Sequence, residues 1–260
     1  MTNTGQEFAV RAELELLAEA RQVASDDDRH SPVVKGHFAR RLVASVVVAL
    51  RRRRRYTMTM LYASDLHAHV VACLAGPPTA GGVHGDRNDI PDLLPRELIP
   101  AAVLVPLVEH TSGATVLLTR RSEVLPDHPG QISFPGGRID PADINAEATA
   151  LRETLEETGV GPEHIVLAGR LDDYETGTGY RVTPVVGLVR PGFRIRLSPV
   201  EVDEVFEVPL DFVLDTANHQ LETVELRGVE RTFWVLVWEG RRVWGATAGI
   251  LVNLAGRLVE

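Results

Sequence analysis

The feature that most constrains this chain is a run of three closely spaced glutamates that ends in a glycine. Gly159 stands where a helix needs a left-handed C-terminal residue, a conformation that glycine adopts without steric cost. The spacing predicts a helix over Ala146–Thr158, in which Glu153, Glu156 and Glu157 lie at i, i+3 and i+4 and project from one face. Like charges at this spacing repel each other. The face is therefore either a solvated surface or a binding site for a divalent cation such as Mg²⁺, which prefers oxygen ligands.

The residues before this helix favour the cation site. Phe134-Pro135-Gly136-Gly137 predicts a strand end that runs into a double-glycine loop, where the backbone can approach a ligand closely. A glycine loop followed by a helix with aligned carboxylates and Arg152 is hard to obtain by chance.

Short apolar, β-branched runs on both sides of the helix predict strands. Ala101–Val108 and Val116–Thr119, joined by Ser112-Gly113, have the pattern of a hairpin. The other predicted strands are Ile165–Leu171, Val182–Val189, Phe193–Leu197, Thr232–Trp238 and Arg242–Trp244, and the other predicted helices are Pro209–Leu214 and Ala246–Leu258. The acidic residues before Pro209 are interpreted as a loop. Mixed strands around a few helices predict an α+β or α/β sandwich rather than a doubly wound parallel sheet.

Composition narrows the class of protein. The chain is 44% hydrophobic and 24% charged, as globular proteins are, and no apolar run is long enough to span a bilayer. Its net charge of -9 argues against extensive nucleic-acid binding and favours a small-molecule substrate. Cys73, the single cysteine, can form no internal disulfide, and the N-terminus lacks the pattern of a signal peptide. We expect a cytoplasmic protein.

The first third of the chain has a different character. Apolar residues at helical spacing over Glu7–Val23 predict an amphipathic helix, and the apolar run Val43–Leu50 is followed by five arginines, Arg51–Arg55. Such a basic segment can contact nucleic acid or an anionic membrane. The simpler alternative is a poorly ordered extension, or a start codon placed too early, with Met58 or Met60 as the true beginning.

Three segments follow from these patterns. We predict an N-terminal extension over 1–57, disordered or partly helical, then a helix and a Gly/Pro-rich linker over 58–95, and one main domain over 96–260.

The helix and its glycines resemble the sequence box of the Nudix hydrolases, which runs Gly, five residues, Glu, seven residues, Arg-Glu-hydrophobic-x-Glu-Glu-x-Gly-hydrophobic. The second half matches at Arg152, Glu153, Glu156, Glu157, Gly159 and Val160. Thr154 occupies a position that is usually apolar. The first half differs, because Asp143 replaces the first glutamate and Arg152 follows Gly137 by fifteen residues, where the general pattern has fourteen.

This one-residue insertion is similar to the coenzyme A pyrophosphatase branch of the family. The segments that resemble this branch are Leu117–Ser122, Gly130–Gly137, Glu201–Leu210 and Val243–Ala248. Pro126 stands where the branch commonly has an arginine. The resemblance covers about residues 95–258.

The resemblance implies the Nudix α/β/α sandwich, of the α+β class with a mixed sheet, and a metal site that uses Mg²⁺ or Mn²⁺. Glu153 and Glu157 would be the principal metal ligands, Glu156 a further ligand or a water-orienting group, and the Gly137 carbonyl a fourth contact. Arg152 would hold one glutamate of the cluster in its rotamer.

It also implies a substrate site. Arg120 and Arg121 would approach the substrate phosphates, only one of them facing the site because side chains alternate along a strand, with Gly136 and Gly137 beside them. The general base would be one of two glutamates, Glu201 or Glu204.

The implied reaction is hydrolysis of the pyrophosphate bond of coenzyme A or acyl-CoA, which releases 3′-phosphoadenosine 5′-phosphate and 4′-phosphopantetheine or its acyl form. Two alternatives stay open. One is a Nudix hydrolase that acts on ADP-ribose, NADH or a nucleoside triphosphate. The other is a Nudix-fold nucleotide-binding regulatory module, against which the presence of all three glutamates argues. A homo-oligomer is compatible with either.

Overall fold

The computed structural model describes residues 66–75, 83–85, 97–226 and 229–259. The predicted helix Glu7–Val23, the arginine run Arg51–Arg55 and the proposed boundary after residue 57 lie outside these ranges.

A mixed sheet forms the centre of the described fold. Its strands are β1 (Val83–Gly85), β2 (Ile99–His110), β3 (Gly113–Arg121), β4 (Ile132–Ser133), β5 (Gly136–Arg138), β6 (Ile165–Arg170), β7 (Asp173–Glu175), β8 (Tyr180–Val189) and β9 (Val202–Pro209). β2 runs parallel to β8 and antiparallel to β3, and β9 pairs antiparallel with β3. The parallel and antiparallel pairs confirm the predicted mixed sheet.

A smaller antiparallel sheet follows in the chain. It contains β10 (Gln220–Leu226), β11 (Val229–Trp238) and β12 (Arg241–Trp244). The described helices are α1 (Leu66–Leu74), α2 (Ala146–Thr158), α3 (Leu210–Leu214) and α4 (Ala246–Val259). Together with the sheets they confirm the α+β class.

The carboxylate helix α2 packs against the strongest apolar strands of the main sheet. Ala146 and Ala150 on α2 form a buried cluster with Ala102 and Leu104 of β2 and Val185 of β8. The small alanine side chains let the helix approach the sheet closely, because they leave little volume between the two backbones. The opposite helix face is thus left for the charged residues.

The predicted strand Phe193–Leu197 is wrong. This segment instead supplies backbone donors to the end of α2. The N–H of Arg196 donates to the Thr158 carbonyl at 2.8 Å, and the N–H of Ser198 donates to the Glu157 carbonyl at 3.2 Å. The last carbonyl groups of a helix have no partners within it, so an extended segment can satisfy them without pairing into a sheet.

Three other predictions need correction. The acidic residues before Pro209 form the strand β9 rather than a loop, Gly136 and Gly137 belong to the short strand β5 rather than to a loop, and β10 was not predicted. β5 pairs with β2 and β9 pairs with β3, which are distant in the sequence, whereas β10 forms a hairpin with the next strand, β11. No helix of the described ranges is both long enough and apolar enough to cross a bilayer.

Candidate active site

The two ends of α2 are fixed by local hydrogen bonds. The Asn145 side chain accepts the Ala148 N–H at 2.8 Å, which caps the N-terminus. Gly159 ends the helix in the left-handed conformation, with φ of 76°, and its N–H donates to the Leu155 carbonyl at 2.9 Å. These caps set where the carboxylates of the last two turns lie.

Glu157 is the most unusual of these carboxylates because it is only 7% exposed. The backbone N–H of Gly136 donates to its carboxylate, but Oε2 has no hydrogen-bond partner among the described residues. Burial, and then the nearby charge of Glu153, raise the pKa of Glu157 to about 8, although Arg121 opposes part of this effect. A buried carboxylate oxygen without a donor is costly unless something positive binds it.

Glu153 lies directly over Gly137. A Cβ atom placed on Gly137 would be 2.5 Å from Glu153 Oε1, so any other residue here would force the carboxylate to move. Burial raises the pKa of Glu153, while the hydrogen bond and charge of Arg152 act in the opposite direction. Two partly desolvated carboxylates are therefore packed against the glycine pair that the sequence singled out.

Arg152 binds several carboxylates at once. Its Nε and Nη2 donate to Asp143 at 3.1 and 2.8 Å, and its Nη1 donates to Glu153 at 2.9 Å and to Glu156 at 3.1 Å. The Asp143 side chain is 9% exposed and also accepts the Thr149 hydroxyl at 2.8 Å. These bonds, first of all those from Arg152, hold the pKa of Asp143 well below its usual range.

The role of Asp143 was missed in the sequence. There it is only a departure from the box, whereas in the structure it anchors the guanidinium of Arg152. The available signal was its position six residues after Gly137, where the general pattern has a carboxylate.

The three glutamates of α2 are not equivalent. Glu157 is buried, and the side chains of Glu153 and Glu156 are 19% and 53% exposed. Within the described ranges, they do not form a ready set of three metal ligands, because Arg152 binds Glu153 and Glu156. Arg152 contacts Oε1 of Glu153 and Oε2 of Glu156, so a cation would bind the other oxygen of each carboxylate.

The structure separates the two candidate bases. Glu201 precedes β9, and its charge adds to the effects of burial and of neighbouring carboxylates that raise the pKa of Glu153 and Glu157, so it lies near the cluster. Glu204 lies on β9 and binds Arg241 at 2.7 Å and Arg120 at 3.2 Å, which lowers its pKa. A carboxylate held by two arginines is a poor proton acceptor, so the geometry favours Glu201.

The two candidate substrate arginines are separated in the same way. Arg120 is engaged by Glu204, whereas the charge of Arg121 acts on Glu157. The pairing of β3 with β9 shifts register between these two arginines, which contributes to their different surroundings. Arg241, the second arginine on Glu204, was not predicted, since the strand that carries it is distant in the sequence.

Known proteins and a family model resemble this chain. The family model described as the NUDIX domain matches residues 98–242. The chain is 42% identical over 155 residues to "Uncharacterized Nudix hydrolase NudL" of Escherichia coli (strain K12), a match that covers 60% of this chain and 80% of that protein. A protein of the same name from Enterobacter sp. (strain 638) is 40% identical, again over 60% of this chain and 80% of the relative.

Among solved structures, a MutT/nudix family protein from Enterococcus faecalis is similar at 20% identity, with a TM-score of 0.40, over 64% of this chain and 63% of that one. A similarity at this level adds nothing to what the sequences show. The family model and the relatives together settle the family. The chain belongs to the Nudix hydrolases, enzymes that act on pyrophosphate bonds.

Proposed function

We propose that the chain hydrolyses the pyrophosphate bond of coenzyme A or acyl-CoA with the help of Mg²⁺ or Mn²⁺. The observation that carries the metal site is the buried oxygen of Glu157, which has no partner among the described residues and lies beside Glu153. The substrate assignment is supported by the resemblance of Leu117–Ser122 and Gly130–Gly137 to the coenzyme A pyrophosphatase branch.

The residues present fit a hard divalent cation. Glu157 and Glu153 would be its main ligands, with Glu156 and the Gly137 carbonyl as further oxygen donors. Such a cation would offset the burial, and the repulsion from Glu153, that raise the pKa of Glu157. When bound, it neutralises charge on the phosphates and makes water easier to deprotonate.

The remaining residues would position the reactants. Arg121 would bind phosphate oxygens, and Asp143 would hold Arg152 so that the glutamates keep their rotamers. Glu201 would accept the proton of the attacking water. The water oxygen forms a bond to one phosphorus, the anhydride P–O bond breaks, and its electron pair stays on the leaving phosphate. The products are 3′-phosphoadenosine 5′-phosphate and 4′-phosphopantetheine or its acyl form.

The test is side-by-side turnover of coenzyme A, ADP-ribose and NADH by the full chain with millimolar Mg²⁺, next to Glu157→Gln. Glu163→Gln is the matched control, since its side chain is 71% exposed and lies away from the cluster. We expect coenzyme A to be cleaved by the wild type and the control but not by Glu157→Gln. Cleavage of ADP-ribose or NADH without cleavage of coenzyme A would refute the substrate assignment and leave the family unaffected.

A further inference from the structure

The pairing of β3 with β9 is irregular next to the candidate active site. Arg120 pairs with Glu204, but the next residue, Arg121, pairs with Val202, so Asp203 is an extra residue on β9 at this point. Two residues on one strand opposite a single step on the other form a β-bulge. Bulges are frequent next to active sites, where they change which side chains lie together.

This bulge determines which side chain lies opposite Arg121. In an unbroken antiparallel register Arg121 would face Asp203, and residues directly opposite each other project to the same face with Cβ atoms about 4.5–5.5 Å apart. An arginine and a carboxylate placed in this way form an ion pair, as Arg120 and Glu204 do at 3.2 Å. The bulge instead places Val202, which is 2% exposed, opposite Arg121.

Asp203 is used elsewhere. Its carboxylate accepts the backbone N–H of Glu123 at 3.3 Å. Among the residues that the structure describes, none forms an ion pair with Arg121, and the Arg121 Nε donates to the Asp127 carbonyl at 3.4 Å. A carbonyl group does not neutralise a guanidinium, so Arg121 keeps its charge for an anion.

Arg121 projects to the face of the sheet on which α2 lies. Leu117 of β3 packs in a buried cluster with Val160, which closely follows the end of α2. Side chains alternate along a strand, so Arg121, four residues after Leu117, projects to the same face. The charge that the bulge keeps available is therefore on the side of the proposed metal site.

The opposite face of the sheet holds the regular pair that precedes the bulge. The Glu204 carboxylate accepts Arg120 Nε at 3.2 Å and Arg241 Nη2 at 2.7 Å. The Arg241 guanidinium also lies over the ring of Phe206, 4.7 Å from its centroid. Because Arg241 belongs to β12 of the smaller sheet, these contacts fix Glu204 from outside the β3–β9 pair and so fix the register at which the bulge begins.

We propose that the bond between Glu204 and Arg241 holds this bulge in place, and that the bulge keeps the Asp203 carboxylate from pairing with Arg121. Arg241, Glu204 and Asp203 are positioning residues, since they act through Arg121. Without the bond, β9 shifts by one residue and Asp203 neutralises the arginine. The inference rests on the proposed function in one respect, which is that Arg121 binds the substrate phosphates.

The experiment measures kcat and KM of the full chain for whichever of coenzyme A, ADP-ribose and NADH it cleaves, so the result does not depend on the substrate assignment. Arg241→Ala should raise KM by about tenfold with a smaller change in kcat, because a phosphate ligand is lost. Adding Asp203→Asn should restore most of the loss. Arg242→Ala is the matched control, since Arg242 is the next residue of β12 and binds Glu222 at 2.6 Å, and its KM should equal that of the wild type.

A double-mutant cycle tests whether Arg241 acts through Arg121. In the Arg121→Ala background, Arg241→Ala should change kcat/KM by less than about twofold, since the group that it positions is already absent. Glu204→Gln breaks the same bond from the carboxylate side and should give the same pattern, including its reversal by Asp203→Asn. A thermal melt checks that each variant is folded.

Two results would overturn the inference and leave the proposed function standing. One is a rise in KM that Asp203→Asn does not reverse, and the other is a set of effects of Arg121→Ala and Arg241→Ala that multiply. An unchanged KM in Arg121→Ala would instead refute the phosphate role that the proposed function gives to Arg121, and the inference would fail with it.

Discussion

At the residue scale, the surroundings lower the pKa of one carboxylate of the site, Asp143, and raise the pKa of another, Glu157. Asp143 is stabilised as an anion by the Arg152 guanidinium, whereas Glu157 is buried with only a backbone donor from Gly136. The protein therefore holds its positioning group charged and leaves its main proposed ligand electrostatically unsatisfied. A bound cation would supply the positive charge that the buried Glu157 carboxylate lacks.

The raised pKa of Glu157 predicts that the stability of the metal-free protein depends on pH. The pKa rises from an ordinary value of 4.5 to about 8 on folding, so the folded chain keeps a proton that the unfolded chain releases within this window. The free energy of unfolding should therefore fall as the pH rises from about 5 to about 8. Urea denaturation across this range in EDTA measures the fall. Millimolar Mg²⁺ and the variant Glu157→Gln should each flatten it, and an equal slope in wild type and variant would contradict the prediction.

The close approach of Glu153 to Gly137 predicts a selective loss of activity in Gly137→Ala. The added Cβ would lie 2.5 Å from Glu153 Oε1 and would displace that carboxylate, while the φ of Gly137 is not in the left-handed region. Turnover should fall by more than about tenfold, with a thermal midpoint close to that of the wild type. Gly256→Ala, on α4 with nothing within 4 Å of the new Cβ, is the control and should retain activity. Full activity of Gly137→Ala would show that Glu153 does not need this position.

The bonds of Asp143 predict that Asp143→Asn weakens metal-dependent activity. Arg152 would lose one of its three charged partners, so it would hold Glu153 and Glu156 less firmly. Loss of such a supporting group typically lowers metal affinity or activity by about 10- to 100-fold. The measurement is the Mg²⁺ concentration that gives half-maximal rate. Glu147→Gln, also on α2, breaks the ion pair of Glu147 with Arg170 of β6 and is the control. An equal effect of both variants would indicate a role in folding alone.

At the element scale, α2 carries most of the site, and its C-terminal end determines where Glu157 lies. Gly159 has φ of 76°, and a Cβ there would lie 2.8 Å from the Arg196 Cβ. Gly159→Ala should therefore lower the free energy of unfolding by about 1–2 kcal/mol or more, since a left-handed conformation costs a residue with a Cβ that much. Urea denaturation measures the loss, and a variant as stable as the wild type would show that the end of the helix can rearrange.

The elements that depend on local pattern were the ones that the sequence predicted. The bounds of α2 agree with the prediction because Gly159 and the periodic alanines act within one helix. The strand β9 was missed because its acidic residues suggest a solvated loop, and only its pairing with β3 makes it a strand. Phe193–Leu197 has the residues of a strand, yet the N–H groups of Arg196 and of the following Ser198 donate to the last carbonyl groups of α2.

In the candidate site too, the residues set by local sequence pattern could be predicted and those set by distant contacts could not. The three glutamates, Arg152 and the glycine pair could be selected from spacing alone, since they lie on one helix and on the strand before it. The partners of Glu204, and with them the choice between Glu201 and Glu204, depend on Arg241, which is brought close only by the fold.

At the scale of the whole molecule, the fold brings the site together from four separate parts of the chain. β3 brings Arg121, β5 brings Gly136, and α2 brings the carboxylates, while Glu201 enters just before β9. Nudix hydrolases cleave pyrophosphate bonds, and we propose that Glu157 binds the cation that this reaction requires.

Mn²⁺ binding followed by electron paramagnetic resonance tests this claim most directly. The full-length wild type should bind Mn²⁺ more tightly than Glu157→Gln by more than about tenfold, and Glu163→Gln should match the wild type. Equal Mn²⁺ affinities in wild type and Glu157→Gln would show that the buried carboxylate has no part in holding the metal, and would contradict the proposed role of Glu157.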